Sequence, residues 1–287
     1  MENSYIERCT SLKDYVQSLI KLHTMDNVEL CQFLDLIDCK RRSKLIVSEL
    51  GLRSPKTHML VENFEKFEVE NLPNQFVIKP CWGSSNRGIR ICKIENKIIV
   101  DLRTNIKYTA KEFLNSYFLE SQLFSKYSKE FIVEERVIPI KESNVFPIDY
   151  KVYTSNGKVI CFMQRDVNQG SDSKDWRYKY WLRNGSALKS VNSKLLYEDG
   201  LQLPTNWQEL ISFAEKIAQH LPVPFLRVDL FLNQSGPYFC ELTPKPGTYK
   251  TYNQDFDEYI GRQINKAFPW YKNDVEKFLD KYKHLIW

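Results

Sequence analysis

The feature that most restricts the fold is an alternating run, Phe225-Leu226-Arg227-Val228-Asp229-Leu230-Phe231-Leu232-Asn233, followed by Gln234-Ser235-Gly236 and a second run, Pro237 to Thr243. Period-two alternation of this length specifies a β-hairpin with one buried face. A three-residue loop ends in a left-handed residue, and Gly236 suits that place because glycine takes it without steric cost. Such a loop sets Asn233 against Pro237. Asp229 then faces Glu241, and Arg227 faces Thr243. Val228 with Leu242, Leu230 with Cys240 and Leu232 with Tyr238 form the apolar face.

Directly opposed side chains lie ~5 Å apart at Cβ, and two like charges there repel. Two arrangements offset the repulsion. Two hard oxygen donors at this separation suit Mg2+ shared with phosphate oxygens. Alternatively, Arg227 or Lys245 neutralises the carboxylates at a solvated sheet edge. A different loop register would separate the two acids, so spacing alone leaves the choice open.

A second hairpin, Asp149 to Arg165, turns at Asn156-Gly157, a pair suited to a type I′ turn because both residues accept positive φ. Its register puts Lys151 and Arg165 on opposite faces unless a bulge intervenes. Upstream, Phe76-Val77-Ile78-Lys79-Pro80 places a lysine at the end of a buried strand. The loop Gly83-Ser84-Ser85-Asn86-Arg87-Gly88 follows, and its glycines and serines let backbone N–H groups approach an anion closely. It fails as a Walker A loop, since Ile89-Arg90 replaces Lys-Ser/Thr and a strand follows where a helix belongs. A glycine-bearing turn beside a surface lysine is the plainer alternative. Glu134 and Glu135 close the apolar strand Phe131-Ile132-Val133, as site residues or as edge charges.

Residues 5 to 50 read as helical, with Leu12, Tyr15, Val16, Leu19 and then Leu30, Phe33, Leu34, Ile37 at three- and four-residue steps. Asp26 or Asn27 caps the second segment. Lys40-Arg41-Arg42-Ser43-Lys44 precedes a short helix, Leu45 to Leu50, closed by Gly51. Further helices are expected around Ala110 to Lys126, from Asn206 to Ala218, and over Tyr259 to Trp287, while Asn168 to Lys194 reads as the least structured stretch. Strand–strand–helix clusters in two blocks predict two α+β lobes in preference to a doubly wound parallel sheet.

Composition narrows the class. A length of 287 residues suits about two domains. A net charge of +5 favours anionic ligands but falls short of a nucleic-acid footprint. No run of 18 apolar residues and no signal-peptide core occurs, so a cytoplasmic protein without a membrane span is expected. The 7 cysteines form no CxxC pair and the 4 histidines are scattered, which argues against a disulfide framework or a zinc site. Neither HExxH nor GxSxG is present.

Taken in order, these pieces resemble the ATP-grasp superfamily, and within it the TupA-like (teichuronopeptide biosynthesis) branch. The resemblance is carried by Ser43-Lys44-Leu45, Leu72 to Pro80, Trp82-Gly83-Ser84-Ser85, Val133-Glu134-Glu135, Asp149-Tyr150-Lys151-Val152-Tyr153, Asn156-Gly157-Lys158, Arg227 to Phe231 and Glu241-Leu242-Thr243-Pro244-Lys245-Pro246-Gly247, over about residues 40 to 250. It implies an α+β ATP-grasp fold, two lobes gripping ATP after a helical N-terminal segment. The corresponding divisions are 1–75, 76–138 for a small lobe, and 139–287 for a large lobe with a C-terminal helix.

By the same resemblance Lys44 and Lys79 contact ATP phosphates, and the loop with Ser84 and Ser85 folds over them. Glu134, Glu135 and Val137 form the adenine hinge, and Lys141 or a neighbour reaches the ribose. Asp229 and Glu241 hold Mg2+, Arg227 stabilises the transferring phosphoryl group, and Lys151 lies on the catalytic hairpin. A third metal ligand is commonly Asn in the superfamily. Here that place is Thr243, a poorer ligand that can act through water.

The implied activity is an ATP-dependent carboxylate–amine ligase working through an acylphosphate, on a sugar acid or glycan carboxylate and an amine or amino acid, in cell-surface polysaccharide or capsule assembly. The alternative is an ATP-dependent phosphotransferase acting on a sugar or small-molecule acceptor. Trp176, Arg177, Tyr178, Lys179, Tyr180, Trp181 and Arg183 are either sugar-stacking and carboxylate-pairing groups or anchors of a surface loop. No nucleic-acid partner is expected, and the protein is read as a monomer or homodimer. Lys79→Ala or Arg227→Ala is expected to cost turnover with little loss of fold.

Overall fold

A computed structural model of the chain describes residues 4–25, 27–62, 68–83, 88–123, 130–170, 173–189 and 191–285. The chain opens with β1 (Ser4–Ile6), α1 (Leu12–His23), α2 (Val28–Asp38) and α3 (Lys40–Glu49). It continues through β2 (Thr57–Val61), β3 (Gln75–Pro80), β4 (Arg90–Glu95), β5 (Ile98–Asp101), β6 (Lys107–Tyr108), α4 (Ala110–Gln122) and β7 (Phe131–Glu135). Next come β8 (Asp149–Ser155), β9 (Lys158–Asp166), β10 (Arg177–Leu182), β11 (Ala187–Leu188) and α5 (Trp207–His220). The chain closes with β12 (Phe225–Asn233), β13 (Gly236–Thr243), α6 (Gln254–Ile264), β14 (Trp270–Tyr271) and α7 (Lys272–Tyr282).

These elements divide into two units, Met1–Arg53 with Phe146–Trp287, and Ser54–Val145. The cuts therefore fall at 53/54 and 145/146, where the sequence suggested 75/76 and 138/139. The reason is pairing: β2 joins β7 edge to edge, which draws residues 54–75 into the smaller unit. The N-terminal helices instead pack with the later strands, α3 and α2 lying against β13.

The smaller unit is an antiparallel sheet, β2-β7-β3-β4-β5-β6 among the described residues, packed with α4. Phe76, Ile78, Phe113, Tyr117, Phe131 and Val133 fill its core. Helix α4 starts on a capping box, in which Thr109 accepts from Glu112 N–H and Glu112 reaches back to Thr109. The larger unit carries a second antiparallel sheet, β11-β10-β9-β8-β12-β13, with α5 packed across β8, β9, β12 and β13. Its helices bury the stripes read from sequence, Leu12, Tyr15, Val16 and Leu19 on α1 and Phe33, Leu34 and Ile37 on α2.

Several local expectations are corrected. Asp26 lies outside the described residues, and Asn27 occupies the N-cap of α2 without a side-chain bond. Helix α3 begins at Lys40, so the basic cluster is part of the helix, which Gly51 ends at φ 66°. Asn206 sits at the N-cap of α5, likewise without a side-chain bond. Residues 259–285 are not one helix, because β14 pairs with β1 and separates α6 from α7. The stretch expected to be least structured contains β10, paired in continuous register with β9.

Hairpin registers decide which side chains share a face. The β12–β13 loop is two residues long, with Asn233 paired to Gly236, Leu232 to Pro237 and Leu230 to Phe239. An irregularity between Asp229 and Leu230 absorbs one extra residue, Cys240, on β13. Beyond it Asp229 faces Glu241 and Arg227 faces Thr243, as the longer loop would have set them. In β8–β9 the Asn156-Gly157 turn has both φ values positive, 50° and 68°. A bulge between Tyr153 and Thr154 then shifts the register so that Asp149 faces Arg165. Lys151 and Arg165 consequently share a face.

Glu215 ties α5 to this hairpin, accepting from Val159 N–H at 3.0 Å and from Arg183 Nε at 2.9 Å. Burial pushes its carboxyl up, but Arg183 and Val159 outweigh burial and hold it below its ordinary value. A lowered carboxylate pKa adds stability that is complete above the unfolded value, about 4.3, and is lost as pH falls through the folded value. Glu215→Gln is therefore expected to lower stability at neutral pH and flatten the acid limb of the stability curve. Denaturant titrations at stepped pH measure this, and an acid limb as steep as wild type contradicts it.

Candidate active site

Asp229 is the centre of the larger unit's polar cluster and is 1% exposed. Arg227, two residues earlier on the same face of β12, donates Nε to Oδ1 at 2.6 Å and Nη2 to Oδ2 at 2.7 Å. Lys151, its cross-strand partner on β8, donates Nζ to Oδ2 at 2.5 Å. Burial alone would weaken the Arg227 charge, but the Asp229 carboxylate more than restores it and the guanidinium stays protonated.

Arg227 also serves β13. Its Nη2 donates to Thr243 Oγ1 at 3.0 Å and lies 3.7 Å from Glu241 Oε1. On the other side of Glu241, Lys40 Nζ lies 3.3 Å from Oε2. Lys40 is buried because it opens α3 on the face turned to β13, and Lys44 is buried one turn further along. Of the two neutralising residues weighed from sequence, Arg227 takes the role, while Lys245 Nζ sits 3.4 Å from His23 Nδ1. The place of Lys40 in the cluster depends on the docking of α3 against β13, which local sequence does not signal.

The cluster extends onto β9. Lys151 Nζ lies 3.1 Å from Asp149 Oδ2, and Arg165 donates to the same oxygen. Arg165 also stacks on the Trp176 ring, 4.8 Å from its centre. Lys40, Glu241, Arg227, Asp229, Lys151, Asp149 and Arg165 thus alternate in sign from helix α3 across the sheet. Most of the aromatic segment after residue 175 is structural. Tyr178, Tyr180 and Trp181 are buried, Lys179 donates to the carbonyls of Asp199 and Leu201, and Arg183 holds Glu215.

In the smaller unit, Lys79 at the end of β3 pairs with Glu134 on β7, Nζ to Oε1 at 2.5 Å. Their side chains are 4% and 3% exposed. Glu135 is exposed, and its side chain accepts from Lys56 N–H at 3.2 Å at the strand edge. Val137 is buried, and Lys141 is exposed in a turn. Ser84 and Ser85 lie outside the described residues. Both flanking glycines are left-handed, Gly83 at φ 118° and Gly88 at φ 68°, and Tyr117 OH donates to Gly88 O at 2.6 Å.

Asp229 and Glu241 present carboxylates from directly opposed positions. Among the described residues no group of three His, Cys, Asp or Glu could hold a metal. Two carboxylates without a cage suit Mg2+, which keeps much of its shell for water and phosphate oxygens.

The expectation that Lys79 and Arg227 can be removed with little loss of fold does not suit their burial, since breaking a buried pair costs about 3–5 kcal/mol. Lys79→Met is expected to lower unfolding free energy by about 3 kcal/mol, and adding Glu134→Gln to recover part of the loss. Chemical denaturation of the two single variants and the double variant measures this coupling. Additive losses would contradict a stabilising pair.

Over residues 20–265 the chain matches the family model for TupA-like ATPgrasp proteins. A D-alanine–D-alanine ligase of Helicobacter pylori (strain HPAG1) is 24% identical over 223 residues, covering 77% of this chain and 54% of the ligase. That of Fusobacterium nucleatum is 22% identical over 213 residues, covering 74% and 58%. The chain thus spans little more than half the length of these curated relatives. The crystal structure of the D-alanine–D-alanine ligase from Helicobacter pylori aligns with a TM-score of 0.49 at 17% identity, covering 82% of this chain and 62% of that one. The family match runs from α1 past the Asp229 hairpin into the turn after α6, and with most of its length so covered the chain belongs to the TupA-like ATPgrasp family.

Proposed function

We propose that the chain is an ATP-dependent ligase that joins a carboxylate to an amine through an acylphosphate, with a sugar acid or glycan carboxylate as the acid. The observation that carries this reading is the opposed pair Asp229 and Glu241, with Arg227 held between them. Such a pair of acids flanked by fixed cations suits phosphoryl transfer, in which the protein supplies positioning and charge neutralisation. Among the described residues no helix is long and apolar enough to cross a membrane.

In the larger unit, Asp229 and Glu241 would hold Mg2+, with Thr243 beside them acting through its hydroxyl or a water. The ion would supply charge neutralisation at phosphate oxygens. Arg227 stabilises charge on the transferring phosphoryl group, Lys151 orients the acid, and Lys44 contacts phosphate. In the smaller unit, Lys79 and the Ser84-Ser85 loop are assigned to phosphate oxygens. Glu134, Glu135 and Val137 are assigned to adenine, and Lys141 to the ribose. An oxygen of the acid attacks the γ-phosphorus and ADP leaves. The amine then attacks the acyl carbon, phosphate leaves, and the nitrogen loses a proton.

D-glucuronate, MgATP and hydroxylamine are expected to give ADP together with a hydroxamate. Arg227→Lys, which keeps the charge but not the fork, is expected to lower turnover about a hundredfold, the cost of one fixed donor. Coupled ADP release and ferric-hydroxamate absorbance read both. ADP release with a phosphorylated acceptor and no hydroxamate would replace the ligase by a phosphotransferase.

A further inference from the structure

The ladder of alternating charges ends on Arg165 in a manner that the phosphoryl-transfer assignment does not use. Strands β9 and β12 are separated by β8 alone, and Arg165 pairs with Asp149, two residues from the partner of Asp229, so two strand spacings and two residues place Arg165 ~12 Å from the Asp229 position. Arg165 shares the polar face through the β8–β9 bulge, faces Asp149 across one neighbour and Tyr178 across the other, and lies over the Trp176 ring. Its side chain is 15% exposed. Its carboxylate partner is Asp149, which also serves Lys151. Nε of Arg165 is buried and has no hydrogen-bond partner among the described residues.

The neighbouring cations are differently placed. Lys179 is capped by two backbone carbonyls, Arg183 is fixed on Glu215, and Arg177 bonds the carbonyl of Asp175. Arg165 alone of these four stands on the Asp229 face with an N–H unpaired. A guanidinium whose plane is fixed by an indole and whose N–H groups are incompletely used is prepared for a planar anion, because its fork matches a carboxylate.

We propose that Arg165, oriented by Trp176, binds a substrate carboxylate that is not the one activated at Asp229. The spacing requires a reactant with an anionic group several ångströms from the reacting atoms. Two sources share this chemistry: a second carboxylate on a sugar diacid, and the carboxylate of an amino-acid amine. The inference rests on the ligase reading for its place in the reaction, but the binding it describes needs no nucleotide.

The test is isothermal titration of the intact chain, without nucleotide, with D-glucarate, its dimethyl ester, alanine and inorganic phosphate. Wild type is expected to bind D-glucarate or alanine, and whichever binds identifies the source. The dimethyl ester and phosphate are expected to bind at least tenfold more weakly than that carboxylate. Arg165→Ala is expected to weaken carboxylate binding at least tenfold. Arg165→Lys, which leaves Asp149 a cation but lacks the fork, is expected to weaken it nearly as much, and Trp176→Ala more than Trp176→Phe. Unfolding midpoints identify any variant that fails to fold, and Arg165→Lys then carries the comparison. Equal carboxylate affinity in wild type and Arg165→Lys, no carboxylate binding by wild type at millimolar concentration, or phosphate bound as tightly would each overturn the proposal. Carboxylate binding through Arg165 without hydroxamate formation would sink the ligase reading and leave this site standing. Hydroxamate formation with the acid and amine KM values unchanged in Arg165→Lys would sink this site alone.

Discussion

The site depends on one buried carboxylate and the cations that pair with it. Asp229 is 1% exposed, and burying a carboxylate costs much free energy unless it is paired and hydrogen-bonded. Arg227 donates to both of its oxygens and Lys151 to one, so the carboxylate is paired inside the sheet. The same guanidinium reaches Thr243 and approaches Glu241, which ties β13 to the centre. Replacing such an array by apolar residues of equal volume is often neutral for stability. In the proposed ligase it would serve as an array of fixed charges that needs no reorganisation when phosphate charge shifts.

The fold contributes by placing each charge through register. Two residues along β12 put Arg227 and Asp229 on one face, and direct pairing puts Lys151 and Glu241 on either side of Asp229. Bulges at Cys240 and near Tyr153 are not defects in this arrangement. One aligns the two acids, and the other turns Arg165 onto their face. Helix α3 completes the cluster from outside the sheet, which is why the N-terminal helices belong to the same unit as the C-terminal strands.

Much of this was legible in the sequence, because strand alternation and turn chemistry are local. The opposition of Asp229 to Glu241 was read correctly from a loop of the wrong length, since a shorter turn and a bulge cancel. Bulges themselves have no reliable sequence signal, so the sharing of a face by Lys151 and Arg165 could be stated only as a condition. Lys40 was illegible for another reason: its role depends on a helix docking onto a strand two hundred residues away in the chain. The aromatic stretch around Tyr180 shows that the composition suited to sugar binding also suits a packed strand, and burial decides between them.

In the proposed ligase, Asp229 and Glu241 together receive a divalent cation shared with a nucleotide. Crystals of the chain grown with ADP and Mn2+, measured for anomalous scattering at the manganese edge, test this directly. A peak is expected within coordination distance of oxygens from both carboxylates and from the diphosphate. A nucleotide-bound manganese that touches neither Asp229 nor Glu241 would contradict it.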